Sequence, residues 1–547
     1  MALRDELKKV HSYLPRLAQQ FKDGDVSRRE FLRTASLLGL SAATAYSIIG
    51  EPDTFAFVRP ANAAAGGIVK ISMRVQPIES PHTYSWIQDS MMSRNVIEYL
   101  TRTRSDNVTE PWLCESWQAS EDLKTWTLNL RKDVKWSNGD AFVADHVIWN
   151  IKRVLDPAVG SSVLGLMKGY MMNDAGDALW DANAIEKVDD HTVKLNARAA
   201  QLAVPEHFFH YPFPILHPSS EGKFGVGSIG TGWGELAEFE LGKKCVVKKR
   251  PGYWKGDGML DEVHYIDHGD DAAAAIAALQ SKQVDGMWEV GPSQRVAVTK
   301  MDWIGLYDVT TAQTAVARMQ PIHEQWKDPR VRKAMRMGID PAKVVQVAVD
   351  GAGSPGEHHH VAPLHPEYAE LPPMYNPEGA KKLLAEAGFP NGFETELFCI
   401  ADPEWESRAA NNLAQQWKEI GVNVKVTVLP GAQYWEIWDK ETAPFAQTAW
   451  THRPLGVMVL GLAYRTGVPW NESKWSNAKF DELLGKAEGI VDPVKRSEVT
   501  KEIEIIMQEE GPIVQSVWLK VYQAMDKKVV GFAAHPTQYI FPWEWSV

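Results

Sequence analysis

Apolar and polar positions along the chain switch repeatedly between a two-residue and a 3.6-residue period, which predicts strands alternating with helices. Trp126 to Leu130 alternates as a half-buried strand does, and Ala144 to Val154 then repeats its apolar residues at helical spacing. Cys245 to Lys249 reads as a strand broken by Pro251-Gly252, and Ala272 to Leu279 is helical by propensity alone. Pro329 to Val349 and Pro377 to Ala387 read as helices, each opened by a proline that fits the first turn. Glu404 to Ile420 predicts a helix stopped by Gly421, and Val422 to Val428 alternates strictly as a strand. Helix, glycine and strand in that order form a unit of an open α/β sheet. Phe480 to Glu510 is again helical, and Val514 to Ala524 returns to β character.

At 547 residues the chain exceeds one compact domain of about 100–200 residues, so at least two core-bearing units are expected. The formal net charge of −12 and pI near 5.8 argue against nucleic acid as a partner, because phosphate contacts need a basic surface. Three cysteines, Cys114, Cys245 and Cys399, exclude a disulfide framework and a four-cysteine zinc site by count. The 22 tryptophans supply broad contact area with one donor each, as ligand-gripping surfaces do, although most such rings serve packing.

The N-terminus carries a separate message. Ser27-Arg28-Arg29-Glu30-Phe31-Leu32-Arg33 precedes a moderately apolar stretch from Thr34 to Ile49 and then Ala61-Asn62-Ala63-Ala64. This order resembles a twin-arginine export signal, a receptor-read address rather than an anchor. Ser36, Ser41, Thr44 and Ser47 dilute the apolar run below what a membrane span needs. Residues 1–63 are therefore expected to be a signal peptide cut after Ala63, with the twin-arginine translocase as a partner during export. A periplasmic location follows.

Downstream, an ordered set of segments is informative. It comprises Leu113–Trp117, Trp126–Arg131, Val134–Asp140, Ala144–Val147, Gly230-Thr231-Gly232, Arg250–Trp254 and Leu279–Asp285. Asp328–Ala334 with Ile339-Asp340, Tyr375–Gly388 and Trp417–Asn423 complete it. Each is weak alone, but in this order they resemble the family 5 extracytoplasmic solute-binding proteins of peptide and nickel ABC importers. The resemblance implies an α/β, two-lobed periplasmic-binding-protein-like fold, with an extra subdomain in lobe I, a ligand cleft between the lobes and strands crossing a hinge. It places lobe I at 64–309, lobe II at 310–511 and a C-terminal return to lobe I at 512–547. A peptide or small-molecule ligand, ABC permease subunits as partners and a monomeric state are implied.

Peptide-binding members of the family place an aspartate after a Trp-Thr-like step in lobe II. Here Trp450-Thr451 is followed by His452 and Arg453. A cation there repels an ammonium and favours an anionic group through guanidinium pairing, so Trp450, His452 and Arg453 are candidate ligand residues. Arg318 is a candidate near the crossing into lobe II. Tyr434 and Trp435, with Trp438 behind them, follow a strand end, where open α/β sheets bind ligands. Glu79 and His82 follow the first strand of the mature chain and are candidates for the lip of the cleft.

Other signals carry less. His358-His359-His360, with His323 and His365 nearby, are imidazoles suited to nickel or copper, but consecutive residues do not converge on one ion, and no metal site is expected. Gly225-x-Gly227-x-x-Gly230 matches a dinucleotide fingerprint by letter, yet no strand precedes it and no helix follows, so no cofactor is expected. Neither a Gly-x-Ser-x-Gly elbow, a His-Glu-x-x-His pair nor a Walker loop is present. The expected function is non-enzymatic capture of a peptide-like, anionic or zwitterionic solute for a permease. The alternatives are an exported periplasmic enzyme and a sensory binding protein.

Overall fold

The computed structural model describes residues 2–56, 66–85, 87–256, 258, 260–269 and 271–547. The expected cleavage point after Ala63 lies outside the described residues. Val422 to Leu429 forms the strand its alternation predicts, with Val422 and Val424 turned inward. It pairs in parallel with Phe393–Ile400, and the helix Glu404–Lys418 connects the two. That helix presents Trp405, Ala409, Leu413 and Trp417 to the core at intervals of four, so one stripe covers the sheet. Glycine is required at the strand entrance: Gly392 has φ +72°, and a Cβ there would stand 1.8 Å from the Gly421 carbonyl oxygen.

Two predicted helical runs divide. Pro329–Val349 becomes Pro329–Met337 and Pro341–Val349, and Phe480–Glu510 becomes Ala478–Glu488 and Pro493–Glu510. In both, an aspartate (Asp340, Asp492) caps the second helix by accepting from a backbone N–H two residues on, with proline at its first position. The cap and the missing proline N–H make a new start more stable than a continuous helix.

Among the described residues one eleven-stranded sheet runs through the molecule. At one end lie Val422–Leu429, Phe393–Ile400 and Phe445–Trp450; at the other lie Ile68–Ser72, Glu262–Ile266, Lys244–Lys249 and Gly234–Glu240. The centre is the antiparallel pair Ile304–Met319 and Ile513–Asp526, which belongs to both ends. Its register is regular from Ile304–Asp526 to Thr310–Lys520, breaks between Thr310 and Val316, and resumes to Arg318–Ile513. Such an interruption bends strands, and it lies within the strand pair that joins the two ends of the sheet. A separate four-stranded antiparallel sheet, Cys114–Ala119, Thr125–Leu130, Thr192–Asn196 and Ile185–Asp189, builds the extra subdomain of lobe I.

Residues 2–56 lie against this body. They form the short helices Ala2–Val10, Leu14–Asp23, Arg28–Leu37 and Ala42–Ile49, and Leu17, Phe31, Leu32, Leu38 and Tyr46 are buried. Trp117 donates to the Leu37 carbonyl at 2.9 Å, Tyr46 donates to Asp106, and Arg16 pairs with Asp492 of lobe II at 2.9 Å. The segment thus touches both lobes. Arg28 and Arg29 remain exposed while Arg33 is buried.

Candidate ligand-binding site

The lobes are closed on one another. The Leu202 N–H donates to the Glu488 carbonyl at 2.9 Å, Arg74 approaches Asp402 at 3.6 Å, and the Arg453 guanidinium lies 5.4 Å from the centre of the Tyr211 ring. Between the lobes two adjoining recesses of about 120 and 530 Å³ share Arg74 and Asp402. Lobe I contributes Ser72, Gln76, Glu79, Asp89, His268 and Glu289 to their walls. Lobe II contributes Asp402 and Glu404, just beyond the strand Phe393–Ile400, and Gly431 and Trp435, just beyond Val422–Leu429. This is the crevice beyond the carboxyl ends of parallel strands. The larger recess falls within the roughly 300–1,000 Å³ usual for small-ligand sites.

The electrostatics of these walls are uneven. Arg74 is engaged by Asp267 at 3.1 Å as well as by Asp402. Burial, reinforced by the neighbouring Asp402 carboxylate, pushes the Glu289 carboxyl up to about 7. Glu406, in the first turn of the Glu404–Lys418 helix, is 2% exposed, and burial followed by repulsion from Glu289 and Asp402 holds its carboxyl well above the usual range. A helix N-terminus favours carboxylate, so desolvation and like charge outweigh it here.

The sequence candidates separate into three groups. Glu79 and Trp435 line the larger recess. Trp435 meets Tyr434 and Trp438 edge-on, so one ring of that cluster faces the cleft while the others support it. Arg453 lies over Tyr211 in the closed interface, its Nη1 donating to the Thr451 hydroxyl and to the Thr451 and His452 carbonyls, with a buried Nε that has no partner.

The remaining candidates are held elsewhere. Arg318 is fully buried; its Nε pairs with Glu472 at 3.3 Å and its two terminal nitrogens donate to the Ala443 and Trp438 carbonyls. The pleat turns it into lobe II and spends its donors there. Tyr434 is buried, its hydroxyl against Gln447 and Thr448. Trp450 donates to Glu472 at 2.9 Å. His452 is buried between the Ala312 N–H and the Asn107 side chain, where it joins the lobes without lining the recesses. His82 is turned inward by the single turn Pro81–Thr83, with Nε2 at 3.0 Å from the Pro214 carbonyl, and burial drives its imidazole down to about 4.

His358, His359, His360 and His365 are all buried but point to different partners. His358 accepts from the Gln515 N–H, His359 from Val361, His365 from Ala362, and His360 meets the Tyr464 hydroxyl at 2.6 Å. Positive φ at His358 and His360 swings successive rings apart. Among the described residues no group of His, Cys, Asp or Glu is arranged to hold a metal ion. Gly225–Gly230 contains no helix. Gly230 and Gly232 instead pass so close to the Val96 and Asn95 carbonyls that a Cβ would meet them at 2.0 and 2.3 Å.

Arg74, Glu289, Asp402 and Glu406 were not anticipated. Asp402 had a signal: it stands just beyond the parallel strand Phe393–Ile400, the position that pointed to Trp435 after the next strand. Glu289, after the short strand Gly286–Met287, had none.

Two α/β lobes joined by a bent strand pair, closed over a recess lined from both sides, define a solute-capturing binding protein. The chain belongs to the bacterial extracellular solute-binding proteins, family 5: the description of that family's middle region matches residues 108–465, well over half of the chain. Glutathione-binding protein GsiB of Escherichia coli K12 is 26% identical over 450 residues, covering 78% of this chain and 83% of that protein. The periplasmic binding protein DppA of Helicobacter pylori, solved with the peptide STSA, superposes with a TM-score of 0.77 at 19% identity, over 88% of this chain and 98% of that one. AgaA of A. tumefaciens R10, solved with agropinic acid, gives 0.77 at 22% identity, over 87% and 96%. These structures establish the fold. Among the described residues no helix is long and apolar enough to cross a membrane.

Proposed function

We propose that this chain is the extracytoplasmic binding component of an ABC importer, which captures a peptide-like solute between its lobes and delivers it to a membrane permease. The recess lined by Arg74 and Glu79 from one lobe and Asp402 and Trp435 from the other carries the reading. A solute contacting both walls stabilises the closed form, and the closed form is what a transporter can distinguish from the empty protein. The protein acts as a monomeric binder rather than an enzyme. Residues 27–33 direct it through the twin-arginine route to the periplasm. Arg453 receives an anionic group of the solute, supported by its unpartnered buried Nε and its place across the closure from Tyr211.

A thermal-shift screen with peptides, glutathione, amino acid–sugar conjugates and divalent metals tests this, because a ligand of the folded state raises the melting temperature by mass action. Stabilisation by an anionic solute, weakened at least tenfold in Arg453→Ala, is expected. Stabilisation by uncharged-tail peptides that survives Arg453→Ala removes the anion assignment, and stabilisation by no solute removes the capture function.

A further inference from the structure

Resting on the capture function just proposed, we infer that residues 12–56 are a built-in strap: docked across both lobes, they hold them closed and bar solute from the space between them until the segment is withdrawn or cut away. Around the helix Leu14–Asp23 the Ser12 N–H donates to Glu121 of the lobe I subdomain at 3.1 Å, while Arg16 at 2.9 Å and Gln20 at 3.2 Å both engage Asp492 of lobe II. Farther along, Tyr46 donates to Asp106, and Asp53 accepts from Arg104 at 2.8 Å. These bonds fix the turn whose next residue, Asn107, lies 2.9 Å from the His452 ring nitrogen of lobe II. The segment therefore grips one of the contacts that join the lobes. Leu32 and Tyr46 also wall a third recess, of about 730 Å³, whose other sides are Ser105–Asn107 of lobe I, Val309 and Thr310 of the central strand and Leu364 of lobe II. The segment thus occupies ground between the lobes.

The hold is largely apolar, since Leu17, Phe31, Leu38 and Tyr46 are buried against the body. Arg33 works against it. This residue lies on the same helix as Phe31 and is 1% exposed, yet none of its three guanidinium nitrogens has a hydrogen-bond partner among the described residues. The acids whose charge acts on it most are Glu367 of lobe II and Glu206 of lobe I, and both are committed elsewhere. Glu367 pairs with Arg496 at 3.1 Å and accepts from the Gly456 N–H at 2.9 Å; Glu206 accepts from the hydroxyls of Thr103 and Thr109. A buried cation without a partner is costly, so Arg33 opposes the apolar burial around it and leaves the docked state shallow. A strap of this kind closes the folded chain and still lets go.

The test places a protease site within residues 57–65 of the full chain and cuts it after folding, with small-angle scattering and calorimetry against glutathione and the dipeptide Met-Leu before and after the cut. The expected result is that the segment separates on gel filtration and the radius of gyration without solute rises. A probe that binds should do so about tenfold or more tightly to the cut body, because apparent affinity scales with the fraction of molecules that are open. Phe31→Asp in the intact chain should move both readings in the same direction without cutting. Arg33→Met, which removes the unpaired charge, should raise the melting temperature and slow the loss of the segment after cutting, whereas an Arg33 that merely supports the fold would give the reverse. A segment that stays bound after cutting in both wild type and Phe31→Asp, or scattering and affinity that are unchanged once it has left, overturns the strap. A wider cut body that takes up neither probe upholds the strap and counts against peptide capture instead.

Discussion

Replacing Arg318 by methionine separates a structural guanidinium from a ligand-binding one. Its donors are spent on Glu472 at 3.3 Å and on two main-chain carbonyls, all inside lobe II. Glu472 is itself 3% exposed and keeps only Thr448 at 2.6 Å and Trp450 at 2.9 Å when the arginine is gone. Removing one partner of a buried pair costs about 3–5 kcal/mol, mostly the penalty of the charge left behind. Protonation of Glu472, whose carboxyl burial already raises, relieves part of this, and two carbonyls without donors add about 1–3 kcal/mol. The net expectation at pH 7 is a loss of about 4 kcal/mol, read as a lower urea midpoint by tryptophan fluorescence. Glu472→Gln in the same background should recover a large share, since the buried charge is then absent. Binding of the solute found by thermal shift should stay within about threefold of wild type in the folded variant. Wild-type stability combined with abolished binding would refute the reasoning and return Arg318 to the cleft.

Two further outcomes follow from the same geometry. The Glu289 carboxyl is raised from 4.5 to about 7, so the folded protein holds this proton more tightly than the unfolded chain does. Its contribution to stability is complete below about pH 4.5 and is lost as pH rises through 7, by about 3 kcal/mol; ligand-free melts between pH 4.5 and 8 should flatten in Glu289→Gln, and an unchanged slope would exclude the effect. Residues 2–56 are tied to lobe I through Trp117 and Asp106 and to lobe II through Asp492. A chain starting at Gly66 should therefore show a larger radius of gyration without ligand and faster ligand association; identical scattering and kinetics would show that the segment does not restrain the lobes.

The elements that were legible were those whose burial follows their own period. Val422–Leu429 lies in a sheet with one face on the core, so alternation announces it. The division of Pro329–Val349 was legible in principle, since Asp340-Pro341 is a start signal, but an uninterrupted apolar period concealed it. The site was harder. Strand-end logic located Trp435 because that rule depends on chain direction alone. It did not separate Trp435 from Tyr434, adjacent on one short helix, because which ring faces the cleft depends on Gln447 and Thr448 of another strand. Arg318 was misread for the same reason, its partner Glu472 being 154 positions away.

What the sequence determined by itself was the alternation of elements, the resemblance to family 5 across its ordered segments and the replacement of an expected acid by Arg453, because periods, caps and motifs are local properties. Only the tertiary structure decided that Glu289 of one lobe and Asp402 of the other line one recess, that Arg318 and His82 are spent inside their lobes, and that the N-terminal helices lie across both. Those outcomes depend on which distant segments compete for the same buried donors, acceptors and charges, and that competition exists only once the chain has closed on itself.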